Sequence, residues 1–285
     1  MNNTLMQCRS KYILMEIAKY SNRKKLMEII RHNKQLKKKL EIKLEDYKKM
    51  YSKIVLEIIP VKNAIGKFIN IKSDKNAKFF SHIFFNDSTE EIKRNYITEE
   101  DSVSKIKIII DYEFKSFCKL FKEMKTIKKI DFIKFNRYDI TNMNSMFYNC
   151  SSLEQINFNN FSTDKVKDMS FMFFKCSSLR KLNLSKFNTM NVTNMCGMFF
   201  GCSSLKRLDL SKFNMKNVKN ICAMFFQCSS LKELNLINFK NVNSISLDRI
   251  FSGCSLLKGL KCLDESLRNE YEKLNSNVNN IIISF

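Results

Sequence analysis

Three residue types are nearly or wholly missing from this sequence of 285 residues, which has no tryptophan, one proline and five glycines. Proline and glycine supply the backbone conformations of linkers and tight turns, so their scarcity argues against long linkers and against a sandwich with many turns. Without tryptophan, 25 phenylalanines and 15 methionines must form much of the core. Methionine fills irregular gaps, so such a core tolerates imprecise packing.

Histidine is also scarce, with only His32 and His82 in the chain. Serine pairs follow several cysteines, such as Cys150, but neither histidine lies near them in the sequence. A serine or cysteine nucleophile needs a positioned base, and a catalytic residue is needed once rather than in every repeat. We therefore expect no enzymatic activity and no cofactor, and we assign the serines to hydrogen bonds with the backbone.

Long apolar runs are absent as well. The N-terminal segment has no apolar stretch of signal-peptide length, and no segment approaches the ~20 apolar residues of a membrane-spanning helix. Cys8 is not preceded by the apolar region of a lipoprotein signal. We expect a cytoplasmic protein whose ten cysteines stay mostly reduced.

Acidic residues are outnumbered, because 28 Asp and Glu stand against 50 Lys and Arg, for a formal net charge of +22. This charge suits an acidic partner, such as an anionic membrane surface, RNA or an acidic protein. It is equally what an AT-rich genome encodes, and lysine keeps repeat proteins soluble. The lysine-dense residues 31–43 fit contact with phosphates or lipid, or a solvated helix face. The aromatic residues fall at core positions, so we expect no specific nucleic acid binding.

A strict internal repeat dominates the C-terminal half. Cys150, Cys176, Cys202, Cys228 and Cys254 are spaced by 26 residues, and each opens a phrase such as CSSLRKLNL or CSSLKRLDL. Six units begin at Leu120, Met146, Met172, Met198, Met224 and Ile250. The first and last units are degenerate, as the ends of a stacked-repeat protein require.

Two apolar periods alternate within each unit. In VTNMCGMFFGC, the residues Val192, Met195, Met198, Phe199 and Cys202 fall on one face of a helix of about three turns. In LKRLDL, the leucines follow the L-x-x-L-x-L pattern of a leucine-rich-repeat strand. We predict an α/β fold: a leucine-rich-repeat solenoid of six strand–helix units with a parallel sheet on its concave face.

The repeat resembles a known family. Its phrase F-N-T-x-N-V-T-N-M-x-x-M-F-x-G-C-S-S-L-x-x-L-[ND]-L-S-x-F, at residues 187–213, is similar to the BspA-type leucine-rich repeat, also described as the mycoplasma lipoprotein or DUF285-type repeat. The resemblance covers about residues 120–263. It implies protein binding or adhesion, and it raises a surface adhesin as an alternative to a cytoplasmic scaffold.

The repeated cysteines admit three interpretations. A metal site needs closely spaced ligands such as C-x-x-C, which the single cysteine of each repeat does not supply. Cys196 and Cys202 are six residues apart, as are Cys222 and Cys228, a poor chelating geometry. Equivalent cysteines of stacked repeats would lie ~5 Å apart, which permits disulfides. We favour buried small apolar residues, and we predict no metal site.

The outward positions of the predicted strands are the best candidate for binding. Side chains alternate along a strand, so the residues between the inward leucines form polar rows on the concave face. We predict that this face binds a protein or peptide, or is a solvated surface without a partner. The candidate contact residues are Gln155, Asn157, Lys181, Asn183, Arg207, Asp209, Glu233 and Asn235.

The residues before the repeats divide in two. Residues 11–59 have apolar residues at helical spacing up to Pro60, and residues 66–114 contain the strand-like segments GKFINI, KFFSHIFF and KIKIII. We expect the latter to form a small sheet that continues into the first repeat. The predicted domains are a helical region at 1–60, a β-rich cap at 61–119, repeats at 120–275 and a tail at 276–285, in a monomeric protein.

The N-terminal helices also resemble an F-box weakly, over residues 11–40. An F-box before leucine-rich repeats would make the chain a substrate adaptor of a ubiquitin ligase, with a Skp1-like partner at its N-terminus. The usual opening Leu-Pro is missing, and Ser21 stands where leucine is expected. The matching residues are Ile13, Leu14, Ile17, Tyr20, Leu26, Ile30, Asn33, Lys34 and Leu36.

Overall fold

The protein is described by a computed structural model over residues 53–70, 81–110, 115–135, 137–159, 161–240, 242 and 245–282. The F-box-like helices, their Skp1-like partner and the lysine-dense residues 31–43 concern a part of the chain outside these described residues.

A mostly antiparallel sheet joins the segment before the repeats to the first two units. Its strands are β1 (Ile54–Pro60), β3 (Ser81–Phe85), β5 (Ile106–Ile110), β6 (Ile127–Phe135) and β7 (Gln155–Asn157), in the order β3-β5-β1-β6-β7. Two short strands, β2 (Gly66–Lys67) and β4 (Tyr96–Ile97), pair separately. β1 runs antiparallel to β6, which pairs in parallel with β7. The prediction that this sheet continues into the first repeat is confirmed.

The prediction of a helix up to residue 59 is wrong for its last residues, because β1 is a strand. Ile54, Leu56 and Ile58 are buried, whereas the side chains between them are partly exposed. This is the period of two that a strand with one covered face shows. Isoleucine and valine favour strands, and both edges of β1 are paired, to β5 and β6.

The later units contribute three parallel strands, β8 (Arg207–Asp209), β9 (Glu233–Leu236) and β10 (Gly259–Cys262). Their register is offset by one repeat, so that Arg207 pairs with Glu233 and Leu208 with Leu234. The third unit has no strand among its described residues and joins the second through a bridge from Gln155 to Lys181. The parallel strands are therefore present, but they form two sheets with a break between Lys181 and β8.

The predicted helices of the repeats are absent from the described units, which have successive tight turns instead. Within one turn segment, the N–H groups of Met198 and Phe200 donate to the carbonyls of Met195 and Gly197, three residues earlier, at 3.2 and 3.1 Å. The N–H groups of the alternate residues Met195, Gly197, Phe199 and Gly201 instead donate to carbonyls of the following unit, at 2.7–2.9 Å. An α-helix would direct all of these donors to carbonyls four residues earlier.

Left-handed backbone conformations explain why no helix forms. At the start of each unit, two residues four positions apart have positive φ, the first of them being the residue just before the unit, and a right-handed helix does not continue through such residues. At the first position stand Lys119, Ser145, Phe171, Gly197, Ala223 and Arg249. At the second stand Glu123, Asn149, Lys175, Gly201, Gln227 and Gly253. The apolar residues assigned to the helix face are nevertheless buried. Their burial was predicted correctly, although the predicted helical conformation of the backbone was wrong.

Stacked phenylalanines fill the core between the turns and the strands. The rings of Phe121, Phe147 and Phe173 stack with centroids 5.4 and 5.5 Å apart, almost parallel. The stack continues through Phe199 and Phe225 to Phe251 at 5.7–5.9 Å. Each unit thus contributes one ring to a column through all six units.

We call the turns that hydrogen-bond from one unit to the next the turn ladder. Different structures cover its two ends. At the N-terminal end, the N–H of Asn70 donates to the Leu120 carbonyl at 2.8 Å, and its side-chain amide donates to Lys119 and Lys122. At the C-terminal end, the helix α1 (Glu265–Ile282) begins after Asp264, which caps its first turn. Buried Leu267 and the Tyr271 hydroxyl, bonded to the Leu257 carbonyl, attach α1 to the last unit. The predicted boundary at 275 falls within this helix.

Candidate functional site

The outward side chains of the repeat strands form two parallel rows, which we call the open sheet face. Burial alternates as predicted: Leu208 and Leu234 point into the core, and their neighbours point outward. All eight candidate residues lie on this face, exposed or partly exposed. The first row is Lys129, Gln155, Lys181, Arg207 and Glu233, and the second is Asp131, Asn157, Asn183, Asp209, Asn235 and Lys261.

A hollow of about 630 Å³ lies on the open sheet face, across the break between the third and fourth units. It brings together five of the eight candidates, whereas Gln155, Asn157 and Lys181 lie outside its lining. Partly buried Leu182 and Leu260 give the lining an apolar component. The five candidates that it contains are Asn183, Arg207, Asp209, Glu233 and Asn235.

One ion pair crosses the first row of the face. The Arg207 guanidinium lies 3.0 Å from the Glu233 carboxylate, and the two side chains are 77% and 57% exposed. An ion pair this open to water contributes at most ~1 kcal/mol to folding. Arg207 and Glu233 are thus held side by side at the rim of the hollow without being important to the fold.

The second row has a structural role that the sequence analysis missed. The side-chain oxygens of Asn183, Asp209 and Asn235 accept the N–H two residues later, at 3.0, 2.8 and 3.3 Å. Asn and Asp form such turns readily, so they bend the chain after each strand. The Ser211 N–H, and next the Ser211 side chain, lower the pKa of the Asp209 carboxyl below its usual value.

The open sheet face extends onto the sheet before the repeats, which the sequence analysis did not foresee. Glu57 on β1 stands directly opposite Asp131 on β6, and Lys107 on β5 stands opposite Glu57. Paired residues of neighbouring strands point to the same side of a sheet. The alternation of KIKIII indicates the outward position of Lys107, but the pairing that brings it beside Glu57 depends on the folded chain.

A further row was also missed, and it borders the open sheet face. The residue after each leucine of the CSSL phrase is basic in four consecutive units, and each of these side chains is exposed. We call this row the basic border. It consists of Arg180, Lys206, Lys232 and Lys258.

The repeated cysteines are buried and lie away from this face. The Cys202 thiol donates to the Phe173 carbonyl of the preceding unit at 3.2 Å, and the other four make the equivalent contact at 2.8–3.1 Å. Burial raises the pKa of the Cys150 and Cys202 thiols to about 12, so both are protonated at neutral pH. The nine cysteines of the described residues are free thiols.

Two other features of the described chain bear on the kind of protein this is. Over residues 53–282 with their gaps, no cluster of three or more His, Cys, Asp or Glu side chains is placed to hold a metal ion. In the same part of the chain, no helix has the length and apolar character needed to span a bilayer.

The repeats match a protein family. Residues 115–239, which contain β6–β9 and most of the open sheet face, match the family described as Mycoplasma protein of unknown function, DUF285. The resemblance predicted from the cysteine-containing phrase is confirmed for them, and the family description assigns no function.

Comparison with other proteins adds little to the DUF285 match. No curated protein matches the chain significantly. One similar solved structure is a leucine-rich repeat protein from Bacteroides ovatus, 17% identical over 57% of this chain and 66% of that one, with a TM-score of 0.21. The chain thus spans just under two thirds of that protein's length.

Proposed function

We propose that this chain is a non-enzymatic protein-interaction module whose six units form one curved solenoid, and that its concave, open sheet face binds a protein or peptide. The observation that carries the proposal is the hollow, where polar side chains from four units surround partly buried leucines. Interface centres commonly combine an apolar floor with a polar rim.

The first row of the face supports binding because the fold does not require it. Lys181, Arg207 and Glu233 are exposed, and none is buried by the stacked core. The strands beneath Arg207 and Glu233 are fixed by pairing and by the buried leucines, so these side chains project from a rigid surface. A partner that contacts several units meets equivalent positions side by side, as in other repeat proteins.

Charge reversal of this row tests the proposal. The variant Lys181→Glu, Arg207→Glu, Glu233→Lys should lose capture of the partner, with affinity weakened at least tenfold. Its melting temperature should stay within about 2 °C of the original, since the exposed pair contributes ~1 kcal/mol or less. The partner is first identified by proximity labelling in the native cell, and affinity is then measured by calorimetry with the full chain.

The matched control reverses three charges elsewhere, in Lys167→Glu, Lys219→Glu, Glu272→Lys. These side chains are exposed, lie outside the open sheet face, and change the net charge equally. The control variant should bind like the original chain. Unchanged binding by the first variant, or equal loss in both, contradicts the proposal.

A further inference from the structure

Resting on the proposed function, we infer that the partner segment is an extended acidic peptide, held by the basic border with its apolar residues over the hollow. The inference depends on three properties of the border: its geometry, the lack of ion pairing in the described chain, and the type of surface beside it.

The basic border is a closely spaced row on a fixed backbone. The Lys232 N–H donates to the Lys206 carbonyl at 2.8 Å, and the Lys258 N–H donates to the Lys232 carbonyl at 3.2 Å. Chain segments that pair in this way lie ~4.8 Å apart, so Lys206, Lys232 and Lys258 span roughly 10 Å, and Arg180 precedes them across the break between the third and fourth units. An extended peptide covers that distance with about three residues.

The charges of this border are not neutralised within the described chain. Among the described residues, none of its four side chains lies within 4.0 Å of a carboxylate. Two acids of the open sheet face have other partners, because Glu233 pairs with Arg207 and Asp209 accepts the Ser211 N–H. Glu154, whose carbonyl accepts the Arg180 N–H at 3.2 Å, is the acid next to the border. Like charges on neighbouring paired segments repel one another, so the charged side chains of the border do not stabilise the fold. Carboxylates of a partner would relieve this repulsion.

The surface beside the border favours a peptide over a nucleic acid. Binding to a single strand relies on aromatic side chains that stack with the bases, and the rows of the open sheet face in the described repeats contain none. The partly exposed aromatics Phe174, Phe200 and Phe226 belong to the turns, and their faces already stack on one another at 4.5–4.6 Å. Leu182 and Leu260 offer apolar contact to a peptide side chain instead.

The test selects peptides without prior choice of sequence. The full chain is panned against a phage-displayed library of random 12-residue peptides, alongside two variants. The border variant carries Arg180→Glu, Lys206→Glu, Lys232→Glu, Lys258→Glu, and a milder version replaces all four residues by Gln. The control variant carries Lys165→Glu, Lys167→Glu, Lys216→Glu, Lys219→Glu, which are exposed lysines outside the face.

We expect the original chain and the control variant to select peptides enriched at least threefold in Asp and Glu, with apolar residues between them. A selected peptide should bind the Gln version at least tenfold more weakly, with a smaller dependence of affinity on salt. The border variant should lose the acidic enrichment.

Three outcomes overturn the inference. In the first, the selected peptides lack acidic enrichment and lose their binding in the variant Lys181→Glu, Arg207→Glu, Glu233→Lys. This result would support the proposed function but contradict an acidic partner. Failure to select any peptide would oppose both proposals. Border-dependent binding of a 20-nucleotide oligothymidylate, without acidic peptides, would assign the border to nucleic acid.

Discussion

At the scale of single residues, the five buried cysteines help to hold successive units together. Each thiol donates to a phenylalanine carbonyl of the preceding unit, 29 residues earlier. The side chain is also small enough to be fully buried there without separating the units. A larger apolar residue would separate them, and alanine would leave the contact unmade.

Replacing Cys202 by Ala removes this contact together with a sulfur atom from the core. We expect a loss of about 1–2 kcal/mol in the free energy of unfolding, from the small cavity and the missing hydrogen bond. Urea denaturation of the full chain measures it. The matched control is Cys118→Ala, where the exposed thiol makes one weak contact, 3.6 Å from the Asn144 side chain. Its expected change is below ~0.5 kcal/mol. Equal effects at both cysteines would disprove the structural role.

At the scale of elements, the turn ladder replaces the helix because its backbone groups find partners in the next unit. Left-handed residues cost ~1–2 kcal/mol each when they are not glycine, and Phe171 and Lys175 are among those that adopt this conformation. Hydrogen bonds on both sides of each interior unit hold these residues in place. Glycine stands where a neighbouring side chain leaves no room, as at Gly197.

Gly197→Ala tests this element. A Cβ there would lie 2.6 Å from the Phe171 ring, at a φ of +57°. The two effects together should lower the free energy of unfolding by about 2–4 kcal/mol, measured by urea denaturation. Gly259→Ala is the control, since that glycine has no positive φ and its Cβ would meet the flexible Glu233 side chain at 3.3 Å. In a Phe171→Ala background the loss at Gly197 should shrink. The turn assignment fails if Gly197→Ala is neutral.

At the scale of the whole molecule, successive units are structurally equivalent, with a period of 26 residues. Residues one repeat apart occupy the same position in the phenylalanine column, the cysteine contacts and the turn ladder. Stability in such a stack is approximately a sum of unit and interface contributions. The cap is bonded through Asn70 to the start of the first unit, and the helix α1 is attached through Tyr271 to the last unit.

Removal of one whole unit should therefore preserve the fold. Deleting Met198–Ala223, one 26-residue period, joins Gly197 to Met224 and restores every contact in register. We expect cooperative unfolding in urea. The free energy of unfolding should depend less steeply on urea concentration than in the original chain, because the shorter chain buries less surface. Deleting the 24 residues Phe200–Ala223 moves the cysteines out of register and should prevent cooperative folding. If both deletions behave alike, the 26-residue period does not determine the stack.

The sequence by itself determined the period, the residues that are buried and the outward rows. These follow from local apolar patterning, which a strand or turn shows regardless of what it packs against. Val192, Met195 and Met198 were correctly placed in the core, because a helix and a stack of turns bury residues at the same sequence spacing. Binding by the eight candidate residues stays a prediction.

The tertiary structure decided which backbone conformation the apolar pattern adopts and which charged side chains form ion pairs. The turns are stabilised by hydrogen bonds to carbonyls 25 residues later, and β1 is a strand because β5 and β6 pair with it. The pairing of Glu233 with Arg207 likewise depends on neighbouring units, as does the lack of an ion pair within 4.0 Å for the side chains of the basic border in the described residues. A local pattern does not contain these partners, since they are brought together only when the units stack.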